Sequence, residues 1–348
     1  MLDLAYCTLF NCNYLDKGIV MISSLLDVAP TSHVYVLCMD EYCKVILDDI
    51  FLGGIKTIAL ESFEDEELLK IKPTRSAGEY CWTCTAKLIQ YIIKYFHEPI
   101  CTYVDSDLFF YSDPSVLIEE MLSKSCSVQV VSHHFLLNSR GKRLEKESGK
   151  NCVQFNTFTD EQNSMDLLQW WIDQCLLKCS VETAGDQMYT SDWGKKTFVN
   201  VSTNYGAGVA PWNINRFQYM RDNYIRDVPL RKEFELVFYH FQGVINQNRY
   251  YVSIEPFFQY WKVDKKFLQF LYYGYIKKLE DVKKAVEAKY GFLPIVQVYI
   301  SDKHSGYSMA QRILANVRQP MPILLEKMNY RLRFIVRKRF AVIDVRRL

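Results

Sequence analysis

The chain has no apolar run near the ~18 to 20 residues needed to cross a bilayer. Its opening "MLDLAYCTLF" carries neither the basic stretch nor the long apolar stretch of a signal peptide, so the expected location is cytoplasmic. Low-complexity tracts are missing too. With hydrophobic residues at 49% and charged residues at 24%, the composition excludes a disordered chain. A strong charge of either sign is also absent: a net charge of +2 over 348 residues gives no reason to expect a nucleic-acid partner. Cysteine, by contrast, is not scarce. There are 11, and several sit inside apolar runs such as "VYVLCMD", where a thiol behaves as a small hydrophobe, which favours a reducing compartment. Cys81 and Cys84 in "CWTC" have redox or zinc spacing. No second pair completes a tetrad, and they read as free cysteines near a helix start.

What the chain does have is alternation. "LDLAYCTLF", "SHVYVLCM" and "IKTIAL" read as buried strands, separated by the helical patterns "DKGIVMISSLLDV" and "DEYCKVILDDI". The longer helix "YCWTCTAKLIQYIIKYF" feeds the strand "ICTYV". Repeated βα units imply an α/β fold with a doubly wound, mainly parallel, Rossmann-like sheet. Further strands follow in "CSVQVVSHH", "CVQFNTF" and "ELVFYHFQG", with an amphipathic helix in "EQNSMDLLQWWIDQCLLKC". Trp170 and Trp171 on that helix read as core, Trp212 as a residue able to stack on a sugar, and His133 and His134 as a solvent-facing strand end. Composition changes near residue 262. We therefore expect a catalytic domain over 1–262 and a helical, basic C-terminal region over 263–348.

Ligands of such sheets bind beyond the carboxyl ends of the strands, where "ICTYVDSDLFFYSDP" places Asp105 and Asp107. In extended backbone, residues i and i+2 point to one side, so the two carboxylates are expected to converge. Adjacent carboxylates repel unless a cation lies between them, and a hard divalent ion, Mg2+ or Mn2+, is the natural occupant. Asp113, before Pro114, reads as a helix cap.

The strand followed by D-x-D in a βαβα chain resembles GT-A fold glycosyltransferases, and the order of motifs resembles glycosyltransferase family eight. That order is "YCTLFNCNY", Lys87-Leu88, "YVDSDLFFYSDP", "VQFNTF", "AGDQMYTSDWG", "NYGAGVAPWN" and "YHFQG", over about residues 3 to 250. The resemblance implies a metal held by Asp105, Asp107 and His240; nucleotide contacts from Tyr6, Cys7 and Thr8 at the end of the first strand, with Lys87 and Ser106; and sugar contacts from Asn156, Asp186 and Gln187. Asp186 and Gln187 are the implied catalytic pair of a retaining transferase. The implied donor is a UDP-sugar and the implied acceptor a glycan or lipid-linked glycan, as in bacterial surface polysaccharide or lipopolysaccharide synthesis. Two positions depart from the pattern: Phe158 stands where the family has glycine, and Asn246 where it has a diphosphate-contacting lysine, for which Arg249 is a substitute.

From residue 311 onward there are ten Lys or Arg against two acids, and basic residues alternate with bulky apolar ones from Arg331. Such a segment suits an anionic membrane surface, so residues 331–348 are expected to permit peripheral attachment. Three other readings share part of the pattern. A haloacid-dehalogenase-like phosphatase places D-x-D near the amino terminus with Thr or Val next, unlike Leu108; a sugar-phosphate nucleotidylyltransferase opens on a glycine-rich loop; a non-catalytic glycan-binding or scaffold protein would keep the fold alone.

Overall fold

In the computed structural model, which describes residues 4–181, 184–247, 250–253, 263, 265–291, 335–337 and 340–344, the predicted alternation becomes a run of βα units. The order is β1 (Ala5–Phe10), α1 (Leu15–Val28), β2 (His33–Cys38), α2 (Glu41–Phe51), β3 (Lys56–Ala59), α3 (Leu60–Phe63), α4 (Glu66–Ile71), α5 (Ala77–Tyr95) and β4 (Ile100–Val104). Then come β5 (Leu108–Phe110), α6 (Ser115–Ser123), β6 (Val128–Ser132), α7 (Ser139–Ser148), β7 (Asn151–Thr159), α8 (Gln162–Leu177) and β8 (Val199–Val201). Short strands β9 (Phe217–Arg221), β10 (Tyr224–Asp227), β11 (Lys232–Glu235) and β12 (Phe238–His240) complete the first of two compact units, Met1–His240.

The central sheet has the order β3-β2-β1-β4-β7-β6-β8. Strands β3, β2, β1 and β4 run parallel, and β7 runs antiparallel to both β4 and β6. Local sequence sets the helix ends. Ser76 and Glu79 form a reciprocal capping box at the start of α5, and Asp40 accepts from the Cys43 amide at 2.7 Å to start α2. One face of the sheet buries Cys7, Leu88, Ile92, Cys101, Leu168 and Trp171 under α5 and α8. Phe158 belongs to this core, stacked on Trp171 and edge-on to Trp193, which explains a bulky side chain where the resemblance expects glycine. All 11 cysteines are free, and Cys81 and Cys84 lie on α5.

The segment before β12 is pinned by a buried ion pair. Arg216 donates to Asp227, whose other oxygen accepts from the Leu230 amide at 2.9 Å, and the guanidinium lies 4.7 Å over the Tyr205 ring. The second unit, Phe241–Leu348, contains β13 (Val244–Gln247), β14 (Tyr250–Ser253), α9 (Lys265–Tyr290), β15 (Ile335–Arg337) and β16 (Phe340–Asp344). Its strands form one antiparallel sheet in the order β13-β14-β16-β15, so the C-terminal region combines a long helix with strands. The basic segment 331–348 lies largely outside the described residues, as does Arg249. Among the described residues no helix is long and apolar enough to cross a membrane.

Removing one partner of a buried ion pair leaves the other charge uncompensated. Asp227→Ala is therefore expected to lower unfolding stability by about 3–5 kcal/mol in chemical denaturation; a loss under about 1 kcal/mol, typical of an exposed pair, would show that Arg216 finds water instead.

Candidate functional site

Between β4 and β5 the chain turns. The Leu108 amide donates to the Asp105 carbonyl at 3.3 Å, so Asp105, Ser106 and Asp107 occupy a turn and not the extended backbone expected from the sequence. The carboxylates converge through that turn. The Asp105 amide donates to the Gln154 carbonyl at 3.1 Å, extending the β4–β7 ladder by one residue. The third member arrives by strand register: β12 pairs antiparallel with β5, setting His240 opposite Leu108. His240 Nε2 lies 2.9 Å from Asp107 Oδ1 and 3.8 Å from Asp105 Oδ2. Among the described residues this is the one group of three or more such side chains whose ligand atoms all fall within 4.8 Å of one another.

The imidazole is held on two sides. His240 Nδ1 donates to Gln154 Oε1 at 2.9 Å, and the ring packs edge-on against Trp212 at 5.3 Å. Burial alone would lower the His240 pKa, but Asp107 and, more weakly, Asp105 hold it well above its usual value. Burial raises Asp105 to about 6, with His240 pulling it down and Asp107 pushing it up. For Asp107 burial also acts upward, yet His240, helped by Lys17, keeps it below the usual carboxylate range. Two carboxylates thus share one cationic neighbour, the arrangement a divalent ion can take over by displacing a proton. Two carboxylate oxygens and an imidazole nitrogen fit such an ion as donors.

The other predicted residues are placed unequally. Asp186 precedes the 3-10 turn Gln187–Thr190 without capping it, and its Oδ2 has no partner among the described residues. Burial, reinforced by Cys179 and Asp105, keeps this carboxyl well above the usual range. Asn156 is 0% exposed, and both its amide atoms are unpartnered among the described residues. Gln187 Nε2 donates to the Ser148 carbonyl at 2.7 Å. Ser106 lies in the turn between the aspartates. Tyr6, Cys7 and Thr8 fall inside β1 and are fully buried; the strand end comes at Phe10, because the apolar run continues that far. Lys87 forms an ion pair with Asp65, with Glu67 at 3.9 Å. Asn246 belongs to the second unit.

His133 and His134 correct the expectation of a solvent-facing strand end, being 3% and 8% exposed. Aromatic neighbours bury them: His133 stacks on Phe135 at 4.6 Å and meets Trp212 edge-on, while His134 stacks on Tyr205 at 4.2 Å. Trp212 Nε1 donates to the His133 carbonyl at 2.9 Å, so this indole supports the site from within. Sequence reasoning missed Gln154 and Lys17. For Gln154 a signal existed, since strand alternation sets it on the same face of β7 as Asn156.

No protein-family model matches the chain. The uncharacterised protein YfnF of Bacillus subtilis (strain 168) is 32% identical over 251 residues, covering 69% of this chain and 81% of that protein. The uncharacterised YfnD of the same organism is 27% identical over 312 residues, covering 83% and 94%. Among solved structures, the galactosyltransferase LgtC, in complex with donor and acceptor sugar analogues, superimposes with a TM-score of 0.50 at 13% identity, over 80% of this chain and 96% of that chain. The architecture is that of the GT-A glycosyltransferases.

A buried amide without partners costs roughly 1–3 kcal/mol. Asn156→Leu is accordingly expected to raise the unfolding free energy of the ligand-free protein by about 1 kcal/mol or more, measured in urea. A drop in stability would mean that the amide is hydrogen-bonded and is not held ready for a ligand.

Proposed function

Because the chain belongs to the same family as YfnF and carries the GT-A fold around an Asp-Asp-His cluster, we propose that it is a divalent-metal-dependent glycosyltransferase. Its donor in this reading is a UDP-sugar, its acceptor a hydroxyl of a glycan or lipid-linked glycan, and its stereochemical course retaining. The observation that carries the reading is the cluster itself: three ligand atoms from two segments, the β4–β5 turn and β12, brought within 4.8 Å of one another at the carboxyl end of β4.

Asp105, Asp107 and His240 would hold Mn2+ or Mg2+, which when bound supplies positive charge to the diphosphate of the departing nucleotide. The remaining roles fall to the chain's own groups. Lys17, near enough to lower the Asp107 pKa, offers a second cation to phosphate oxygens, a role for which Lys87 would first have to leave Asp65. Asn156 and Asp186 present unpartnered buried polar atoms suited to sugar hydroxyls. Gln187, a neutral amide, can orient the sugar near its reacting carbon without acting as a strong base. The acceptor is then deprotonated by the departing phosphate. The basic segment 331–348 is the part of the chain assigned to an anionic membrane surface, and bacterial surface-polysaccharide synthesis is the setting that accommodates all these partners.

Thermal unfolding with UDP, GDP, CMP and dTDP, each with and without Mn2+, tests the donor and the metal together. UDP with Mn2+ is expected to stabilise the wild type by roughly 2.7 kcal/mol at a hundred times its Kd, and Asp107→Asn to abolish that shift. Nucleotide binding indifferent to metal, or no nucleotide binding at all, would sink the reading. Turnover of a UDP-sugar then separates an enzyme from a scaffold that kept the fold.

A further inference from the structure

Two hydrogen bonds link Gln154 to two members of the cluster. Its backbone carbonyl accepts from the Asp105 amide at 3.1 Å, and its side-chain Oε1 accepts from His240 Nδ1 at 2.9 Å. Gln154 lies on β7, held on the β4 side by the Asp105 amide that continues the ladder beyond Val104–Phe155, and on the β6 side at an irregularity where the pairing passes from Asn156 to Cys152. Its amide is also walled in. Gly208, at φ +76°, packs against it so closely that a Cβ there would stand 3.3 Å from Gln154 Nε2 and 2.8 Å from Val131 Cγ1. The amide is fully buried, and its Nε2 has no partner among the described residues.

We propose that Gln154 is the positioning residue of the metal centre: its side-chain oxygen holds the proton on His240 Nδ1, so that the proton an incoming ion displaces is the one on Nε2 and the lone pair it uncovers faces Asp105 and Asp107. The inference rests on the metal-dependent reading above. An amide oxygen accepts and cannot donate, so it retains the Nδ1 proton, and the nitrogen that gives up its proton to an ion is the one turned toward the carboxylates. The opposite tautomer would put a proton on Nε2, where it would close the site to an ion. Cys152 also lies against the imidazole. A thiol is a weak acceptor and cannot fix the tautomer as an amide oxygen does.

The test is Mn2+ binding, followed by the electron paramagnetic resonance signal of free Mn2+ without nucleotide or sugar, for wild type, Gln154→Met and Gln154→Glu. Gln154→Met keeps the volume and removes the acceptor; Gln154→Glu restores an acceptor. The methionine variant is expected to bind Mn2+ about 10–100-fold more weakly, with the metal-free unfolding midpoint nearly unchanged. The glutamate variant is expected to bind at least as tightly as wild type. Wild-type affinity in Gln154→Met, or an equal loss in both variants, overturns the positioning role alone. No Mn2+ binding by the wild type overturns the metal reading and this inference together.

Discussion

Three residue pairs decide where the chemistry lies: Phe238 opposite Phe110, Tyr239 opposite Phe109, and His240 opposite Leu108. This short antiparallel contact carries the imidazole from late in the first unit to the turn that holds the two aspartates. Its anchor is apolar, since Phe110 and Phe238 are buried edge to face and Phe155 stacks on Phe238 from β7. A slip of one residue would turn every side chain of β12 to the other face and leave Asp105 and Asp107 facing each other without a cation. The pairing is therefore electrostatic in its consequence although it is hydrophobic in its cause.

Burial is distributed to tolerate this. The α5 and α8 side of the sheet is filled by aliphatic side chains and by Trp171, Phe158 and Trp193, and supplies apolar burial in quantity. The unpartnered polar atoms of Asn156, Gln154 and Asp186 work against it, each removing something on the order of a kcal/mol. A fold with a smaller core could not keep such groups dry. That they persist together with a neighbouring carboxylate pair is the ordinary mark of a site kept ready for a polar ligand, where stability is given up for preorganisation.

Much of this was legible in the sequence. The parallel order of the first strands followed from the alternation of strand-like and helix-like runs, Asp105 and Asp107 were marked out by their place beyond an apolar strand, and His240 was implied by the resemblance alone. The local geometry was not. D-x-D suggested extended backbone, yet Leu108 closes a turn on Asp105, because β4 must release the chain to pair with β12 through β5. His133 and His134 were read as exposed because their burial depends on Tyr205 and Trp212, far along the chain. Lys87 lies on α5 and Asp65 caps the start of α4, and no local pattern announces their pairing. Gln154 was only half legible: alternation sets it on the same face of β7 as Asn156, but its link to His240 appears only once β12 is seen to pair with β5.

The groups of the site differ in what holds them, and this separates two parts of its chemistry. Asp105 is joined to β7 through its amide, while His240, Gln154 and Asn156 belong to strands, where ladder hydrogen bonds fix position closely. Gln187 instead opens a 3-10 turn and Asp186 immediately precedes it, and Gln187 is tied to the last residue of α7, a helix inserted between β6 and β7. A turn and an inserted helix can change in length and sequence without disturbing the sheet. In the proposed reading the ion-binding residues and Asn156 are thus constrained by the fold, whereas Asp186 and Gln187, the other sugar contacts, stand on elements free to diverge, and choice of substrate would follow those elements.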